Sequence, residues 1–314
     1  MRHIFIINPA AGPKDSSERM CAEIEAVCSE HGIDPLIFIS EYKGYETEMT
    51  QKMCSLFSNE ELCFYSVGGS GTLARVISGI QDFSTTQVAC VPTGMTNDFL
   101  KLYSKEDRRK FASLNNLING EVRTFDMINA GGFRPVDYVS CGFGDSTLKE
   151  NMLFSVCSAI HPKLTYILGI IIDIIKNKSI HYDIEIDGKD YSDEYSMIVF
   201  FNGNCMGGNV IPMPYARPDD GEFEIVFFKK TSVFRKLTGL IDFSNGRLDK
   251  LKDCVFTAKG KHISVSSKNQ FMFNMDGEGV LSQEGKTIIE LKPSKLKFVV
   301  PQGVKFISDD KQAE

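Results

Sequence analysis

The first 125 residues alternate between short apolar runs and longer segments with apolar positions every three or four residues. The short runs have the length of buried strands, and the longer segments have the spacing of amphipathic helices. Strands that alternate with helices in this way form a mostly parallel sheet with helices on both faces. We therefore predict an α/β domain of residues 1–125, with strands at 3–7, 35–39, 62–67 and 87–91 and helices at 16–31, 46–57, 73–80, 97–102 and 105–118.

The pattern changes near Val122, after which many segments alternate apolar and polar residues and are rich in β-branched and aromatic side chains. This alternation is typical of half-buried antiparallel strands. Asp187 and Gly188 between two such runs indicate a hairpin, and one helical insertion, at about 162–176, interrupts the strands. Residues 126–299 are predicted to form an antiparallel β-sandwich, and the C-terminal segment 300–314 can pack back on the first domain. The predicted strands are 181–186, 195–201, 222–228, 262–266, 271–275 and 287–291.

Composition narrows the class of function. The 314 residues carry a formal net charge of −6, which argues against a general nucleic-acid binder because such proteins have a broad basic excess. None of the nine cysteines forms a C-x-x-C pair, so a zinc site is not expected, and their odd number in a chain with no secretory leader indicates reduced thiols in the cytoplasm.

The longest apolar stretch, at 164–175, is too short to span a bilayer and contains Asp173. We predict a core helix there, with a membrane-touching or lipid-lining helix as the alternative.

The sequence GGSGT at residues 68–72 is the most informative motif in the chain. It follows a predicted strand and precedes a helical pattern. Glycines in such a turn let the backbone approach an anion closely, and the free amides and the dipole of the following helix favour phosphate. The alternative is an ordinary strand-to-helix turn. Two other turns, at 8–12 and 92–98, also follow predicted strands, and because ligands bind at the carboxyl ends of such strands, the three turns together predict a cleft.

These motifs together resemble the diacylglycerol kinase catalytic-domain family, which includes sphingosine and ceramide kinases and soluble bacterial lipid kinases. The resemblance covers nearly the whole chain. It implies an N-terminal nucleotide-binding α/β three-layer domain beside a C-terminal antiparallel β-sandwich for the lipid acceptor, with the active site between them. NAD kinases share this architecture and a related glycine loop. The five motifs, in the family's order, are NPAAG at 8–12, GGSGT at 68–72, PTGMTNDF at 92–99, NGNCMGG at 202–208 followed by ARPDDG at 216–221, and DGE at 276–278.

The resemblance implies transfer of the γ-phosphoryl group of ATP to a lipid hydroxyl such as that of diacylglycerol, with ATP and Mg²⁺ as cofactors. Glu278 would be the general base for the hydroxyl proton, and Asp276 would orient it or join the metal network; the alternative is a plain hairpin turn. Asp219 and Asp220 would be Mg²⁺ ligands, and the alternative there is a polar turn. The residues expected to bind the nucleotide are Asn8, Gly12, Gly68, Gly69, Ser70, Gly71, Thr72, Thr93, Gly94, Thr96, Asn97 and Asp98.

The chain departs from the family pattern at the phosphate loop. Position 70 is Ser where the family has an Asp of the nucleotide–magnesium network, and Ala74-Arg75 replaces a common Asn-Glu pair. Serine is a poorer Mg²⁺ ligand than a carboxylate. Three hypotheses therefore stay open: an active ATP- and Mg²⁺-dependent lipid kinase, a nucleotide- or lipid-binding relative without kinase activity, and a kinase of a soluble hydroxyl acceptor similar to NAD kinases.

The expected partners follow from the same resemblance. They are a nucleotide and a lipid substrate at a membrane surface, and no nucleic acid is expected. The protein is predicted to be cytoplasmic, with peripheral association at the inner face of the membrane as a further option. A homodimer through exposed edges of the sandwich also stays open.

Overall fold

The computed structural model describes residues 1–12, 14–94, 97–142, 179–208, 210–268, 271–282 and 286–311. The predicted helix at 162–176, with its apolar stretch, and Thr96 lie outside these residues. The described strands are β1 (Arg2–Ile7), β2 (Leu36–Ile39), β3 (Leu62–Gly68), β4 (Thr86–Pro92), β5 (Glu121–Ala130), β6 (Tyr138–Cys141), β7 (Ile180–Ile186), β8 (Lys189–Asp190), β9 (Asp193–Phe201), β10 (Phe223–Lys229), β11 (Val255–Gly260), β12 (His262–Ser266), β13 (Met272–Met275), β14 (Glu278–Leu281) and β15 (Lys286–Val300). The described helices are α1 (Ser17–Glu30), α2 (Tyr45–Leu56), α3 (Ser70–Gly79), α4 (Lys105–Lys110), α5 (Leu114–Ile118), α6 (Val233–Ser244) and α7 (Ile307–Lys311), with 3₁₀ helices at Phe99–Leu102 and Leu248–Leu251.

The first four strands form a parallel sheet in the order β2-β1-β3-β4. Every residue of β3 is buried because helices cover both faces of the sheet. Tyr65 and Val67 belong to the apolar cluster that includes α1 residues, whereas Leu62 and Phe64 belong to the cluster that includes α2 residues. Successive side chains of a strand point to opposite faces, and a strand buried on both faces therefore has the continuous apolar run seen in the sequence.

Two long strands, β5 and β15, connect the parallel sheet to the second half of the chain. β15 runs parallel to β4 and antiparallel to β5. Phe125 of β5 and Phe298 of β15 lie in the first core, whereas Ile128 and Leu291 of the same strands lie in the second. Phe306, which follows β15, also packs in the first core. The predicted boundary between the domains falls inside β5 and remains a prediction.

The second half is built from antiparallel pairs. From β15 the order continues through β12 and β7 to β9, and β9 then pairs with β6 and with β10. The two-domain prediction, an α/β domain followed by an antiparallel β-sandwich, is confirmed. The hairpin predicted at Asp187-Gly188 is present: both residues have positive φ, 48° and 81°, and β7 pairs with β8 across them, as a type I′ turn requires.

Two helix predictions need correction. The second half was predicted to contain one helical insertion, but it also contains α6, so that prediction was wrong. Ser232 caps α6 by accepting a hydrogen bond from the backbone amide of Arg235 at 3.2 Å, and Leu237 and Ile241 have helical spacing. The cap and the spacing both indicate a helix. The aromatic and β-branched residues of the segment also suit a strand, and they outweighed these two signals. The predicted helix at 105–118 is divided into α4 and α5, and the Ser113 side chain accepts a backbone amide at the start of α5.

Candidate functional site

The turns after β1, β3 and β4 meet at the carboxyl edge of the parallel sheet. Asn8 Nδ2 donates to Thr72 Oγ1 at 3.0 Å, which joins the first turn to the glycine loop. The amides of Thr93 and Gly94 donate to the carbonyl oxygen of Gly68 at 3.1 and 3.0 Å, which joins the third turn to the same loop. The structure therefore brings all three predicted turns together as one unit.

Close packing between the turns requires glycine at specific positions. A Cβ on Gly94 would lie 2.5 Å from Gly69 Cα, and a Cβ on Gly12 would lie 3.0 Å from the carbonyl oxygen of Thr93. A Cβ on Gly71 would meet nothing closer than 3.8 Å. Glycine at 94 and 12 thus serves the contact between turns, whereas at 71 the structure has room for a side chain.

Gly94→Ala is expected to destabilise the protein by about 1–3 kcal/mol, because the added methyl group would force two backbone segments apart. The matched control is Gly71→Ala in the same loop, whose Cβ would make ordinary contacts and which we expect to be neutral or slightly stabilising. Urea unfolding of both variants measures the difference. Equal free energies of unfolding would show that the contact between the turns does not constrain the loop.

A cavity of about 180 Å³ opens at the start of α3. It is lined by residues 69–72 together with Asn8, Ala11, Arg75 and Gly94. The first amides of a helix have no intrahelical carbonyl to bind, and here α3 begins at Ser70, inside the cavity lining. Backbone donors and the positive end of the helix dipole therefore favour an anion such as phosphate in this cavity.

Glu278, at the first position of β14 in the second half of the chain, pairs with Arg75 of the cavity lining and is held by two cations. Its Oε1 pairs with Arg75 Nη2 on α3, and its Oε2 lies 2.7 Å from Lys43 Nζ. Arg75 also pairs with Glu46 of α2, Nη1 to Oε1 at 3.5 Å. Burial acts to raise the pKa of Glu278, but the hydrogen bond from Lys43 and the charge of Arg75 outweigh it and hold that pKa below its usual value. The candidate base is therefore ionised at neutral pH.

Asp276 holds the hairpin that presents Glu278. Its carboxylate accepts the backbone amides of all three residues from 136 to 138. Asp276 and Gly277 have φ of 51° and 88°, the left-handed backbone that a two-residue hairpin turn requires. With its oxygens bound to three amides, Asp276 fixes the turn between β13 and β14 against the segment that leads into β6.

Asp276 is expected to make stability depend on pH. Burial raises the pKa of Asp276 from 3.8 to about 7, so the folded protein binds this proton more tightly than the unfolded chain. Its contribution to stability is complete below the unfolded pKa and is lost as the pH rises through about 7. The free energy of unfolding should fall by up to about 1.4 kcal/mol per pH unit between these values. Asp276→Asn should reduce that slope in urea unfolding, and an unchanged slope would contradict the assignment.

Two further carboxyl groups lie beneath the glycine loop. Asp98 is 5% exposed and Asp137 is fully buried. Ser70 Oγ accepts the amide of Asp98 at 2.8 Å, and Asn97 Nδ2 donates to the carbonyl of Gly94 at 3.0 Å. Burial raises the pKa of Asp98, and burial together with neighbouring carboxylates raises the pKa of Asp137 well above its usual range. Acidic groups therefore lie beneath the loop, and a bound cation would stabilise their charged form.

Asp219 and Asp220 make local contacts on the surface. Asp219 accepts from Arg217 Nε at 2.8 Å, and Asp220 accepts the amide of Glu222 at 3.1 Å. Arg217 also contacts Asp309 of α7. In the described ranges, no group of three His, Cys, Asp or Glu side chains is arranged to hold a metal ion. The assignment of Asp219 and Asp220 as metal ligands stays a prediction.

Sequence reasoning gave no role to three charged side chains of this site. Arg75 was noted only as a departure from the family pattern, although its place one helical turn after Gly71 indicates that it returns to the loop. Lys43 precedes α2 and has no motif around it. Asp137 gives no local signal, because only the path of the chain through the second half brings it beneath the loop.

Comparisons with known proteins match both halves of the chain. The family model described as "Diacylglycerol kinase catalytic domain" matches residues 2–130, and the model described as "YegS C-terminal NAD kinase beta sandwich-like domain" matches residues 145–300. A Staphylococcus carnosus protein named "Putative lipid kinase" is 26% identical over 68% of this chain and 66% of its own length. A Staphylococcus aureus protein named "Putative lipid kinase SAR0780" is 24% identical over 89% of this chain and 87% of its own length.

Solved structures show the same fold. A crystal structure described as a diacylglycerol kinase from Bacillus anthracis has a TM-score of 0.67 at 20% identity and covers 97% of this chain and 98% of its own. A second Bacillus anthracis structure, described as a "putative diacylglycerol kinase", has a TM-score of 0.72 at 22% identity with the same coverage. At these identities the comparison establishes the arrangement of the two domains.

Proposed function

The chain belongs to the diacylglycerol kinase catalytic-domain family, and from this membership we propose that it transfers the γ-phosphoryl group of ATP to a lipid hydroxyl such as that of diacylglycerol. The observation that carries the proposal is the place of Glu278. Its Oε1 lies 3.8 Å from the position of a Cβ on Gly71, so an ionised carboxylate of the second domain stands beside the loop that suits phosphate. Phosphate donor and hydroxyl acceptor would meet there.

The side chains around the cavity supply what phosphoryl transfer needs, which is mainly positioning and neutralisation of phosphate charge. The amides at the start of α3 would bind phosphate oxygens. Arg75 lines the cavity, and a guanidinium binds phosphate through two parallel hydrogen bonds. A phosphate that attracts Arg75 and Lys43 would also loosen their hold on Glu278, which raises its basicity when the nucleotide is in place.

Asp98 supports a role for Mg²⁺. Magnesium in such sites is held by one or two carboxylates together with substrate phosphates. Asp98 is buried next to Ser70, and its Oδ1 has no hydrogen-bond partner among the described residues, so the oxygen chemistry fits the ion. When bound with the nucleotide, Mg²⁺ would neutralise phosphate charge. The role proposed for Asp219 and Asp220 rests on the family motif alone.

A specific observation also favours a second candidate, a relative that binds nucleotide or lipid without transferring phosphate. Glu278 is already paired with two cations, and Ser70 supplies no charge for a metal. In this candidate the ion pairs are permanent and the carboxylate never accepts a proton.

Because the proposed acceptor is a lipid, we also propose that the protein acts peripherally at a membrane, from the cytoplasm. Among the residues that the structure describes, no helix has both the length and the hydropathy that crossing a bilayer requires.

Transfer of labelled phosphate from ATP to diacylglycerol in mixed micelles, with Mg²⁺, tests the proposal, and Ser70→Asp is measured alongside. Label in the organic phase with the native protein is the expected result. Transfer by Ser70→Asp but not by the native protein would favour the second candidate, because one added carboxylate would then be enough to make an intact scaffold active. No transfer by either protein, with transfer to a water-soluble hydroxyl acceptor, would overturn the lipid assignment and favour the kinase of a soluble acceptor.

A further inference from the structure

The outer face of α6 carries large apolar side chains. Phe234 is 77% exposed and Ile241 is 65% exposed, and their spacing of seven residues places them on one face, two turns apart. The inner face is tightly packed: Gly239 and Phe243 are buried, and a Cβ on Gly239 would lie 3.0 Å from Leu251 Cδ2. Surface helices usually present polar residues outward. The exposed pair therefore needs a reason other than packing against the residues that the structure describes.

The segment that contains α6 is basic in an otherwise acidic protein. Residues 229–253 contain seven Lys or Arg and three Asp, a formal charge of +4, whereas the whole chain carries −6. Arg235 binds Asp253 at 2.8 Å and the carbonyl of Lys250 at 2.8 Å, which ties α6 to the 3₁₀ helix beside it. Lys250 and Lys252 are exposed, and neither pairs with a carboxylate among the described side chains. Exposed lysines therefore lie in and directly after the 3₁₀ helix that Arg235 ties to α6.

Contacts also link α6 to the candidate active site. The amide of Ile211 donates to the carbonyl of Ser244, the last residue of α6, at 2.9 Å. Ile211 lies three residues after Gly208, whose amide binds the buried carboxylate of Asp98. Tyr215, 54% exposed, belongs to the same connecting segment. The C-terminal end of α6 thus adjoins the stretch of chain that enters the site.

We propose that α6 and its flanking lysines dock the protein on an anionic lipid bilayer. Phe234 and Ile241 enter the boundary between headgroups and acyl chains, while Lys250 and Lys252 contact anionic headgroups, the arrangement of an interfacial amphipathic helix. This inference rests on the proposed function, because a lipid acceptor must be reached in a membrane. Charge favours a bilayer over a second copy of the chain, because two copies docked through this face would bring two positively charged surfaces together.

Vesicle flotation with the full-length protein tests the docking surface. We expect binding to phosphatidylcholine vesicles that contain one third phosphatidylglycerol, and little binding to phosphatidylcholine alone. Phe234→Ser with Ile241→Ser should weaken that binding at least about tenfold, and Lys250→Glu with Lys252→Glu should weaken it and reduce its dependence on salt. Leu56→Ser is the matched control, because Leu56 of α2 is 64% exposed, close to the 65% of Ile241, and lies outside the basic segment.

The outcomes separate docking from catalysis. Flotation needs no turnover, so it is informative even if the protein transfers no phosphate. If the protein is a kinase, the Phe234→Ser/Ile241→Ser variant should keep native activity on a short-chain diacylglycerol dissolved below its micelle concentration. Native vesicle binding by this variant, or equal losses in it and in Leu56→Ser, would overturn the proposal. A native dimer that this variant converts to a monomer in sedimentation would also overturn it, in favour of self-association.

Discussion

Glu278→Gln is expected to lower the rate of phosphoryl transfer by about 10²–10⁴-fold, the usual effect of removing a positioned general base. Glutamine keeps the size of the side chain and can still accept a hydrogen bond from Lys43 or Arg75, but it cannot take a proton. The loss should therefore appear in kcat, with a smaller change in KM for ATP. Steady-state transfer to diacylglycerol measures both constants.

The structure offers a matched control for this substitution. Glu290 is also a strand glutamate with two basic neighbours, Lys292 at 2.9 Å and His262 at 3.2 Å. Its side chain is 25% exposed, against 21% for Glu278, and neither of its basic neighbours lines the cavity, whereas Arg75 does. Glu290→Gln should transfer phosphate at the native rate. Equal activity of the two variants would show that Glu278 has no part in the mechanism and that its D-G-E motif is a plain hairpin.

The parallel sheet was predictable because its signals are local. β3 is buried on both faces and so appears as an unbroken apolar run, and the turn after it includes one glycine with a local reason, because a Cβ on Gly68 would clash with Thr72 Oγ1. The same holds for the Asp187-Gly188 hairpin, whose two positive φ values favour that pair of residues. Helix α6 was missed because its many aromatic and β-branched residues also suit strands, and burial of Gly239 and Phe243 against the sandwich decided the outcome.

The electrostatic arrangement of the site was not predictable in the same way. Arg75 and Glu278 are 203 positions apart, and no local pattern indicates that they pair. Lys43 and Asp137 have ordinary neighbours in the sequence and gain their roles only when the two domains are placed side by side. The glycine loop and the D-G-E turn could be named from the sequence, but the cations that control the carboxylate depend on tertiary structure.

Arg75→Met is expected to destabilise the protein by about 3–5 kcal/mol, because it leaves a buried carboxylate without its counter-charge. Glu46, whose side chain is 2% exposed, and the side chain of Arg75, 15% exposed, form this pair. Glu46→Gln should therefore restore much of the stability when it is combined with Arg75→Met. A double-mutant cycle from urea unfolding measures the coupling.

An exposed pair gives the control for this cycle, and nucleotide binding gives a second readout. Arg19 and Glu23 pair at 3.2 Å on α1 with side chains 68% and 35% exposed, so Arg19→Met should change stability by no more than about 0.5 kcal/mol.

If Arg75 also binds phosphate, the stabilised double variant should still bind ATP at least about tenfold more weakly than the native protein, a loss of about 1.4 kcal/mol. If that variant binds ATP with native affinity, Arg75 serves only to hold Glu46 and Glu278, and the loop amides bind phosphate without it.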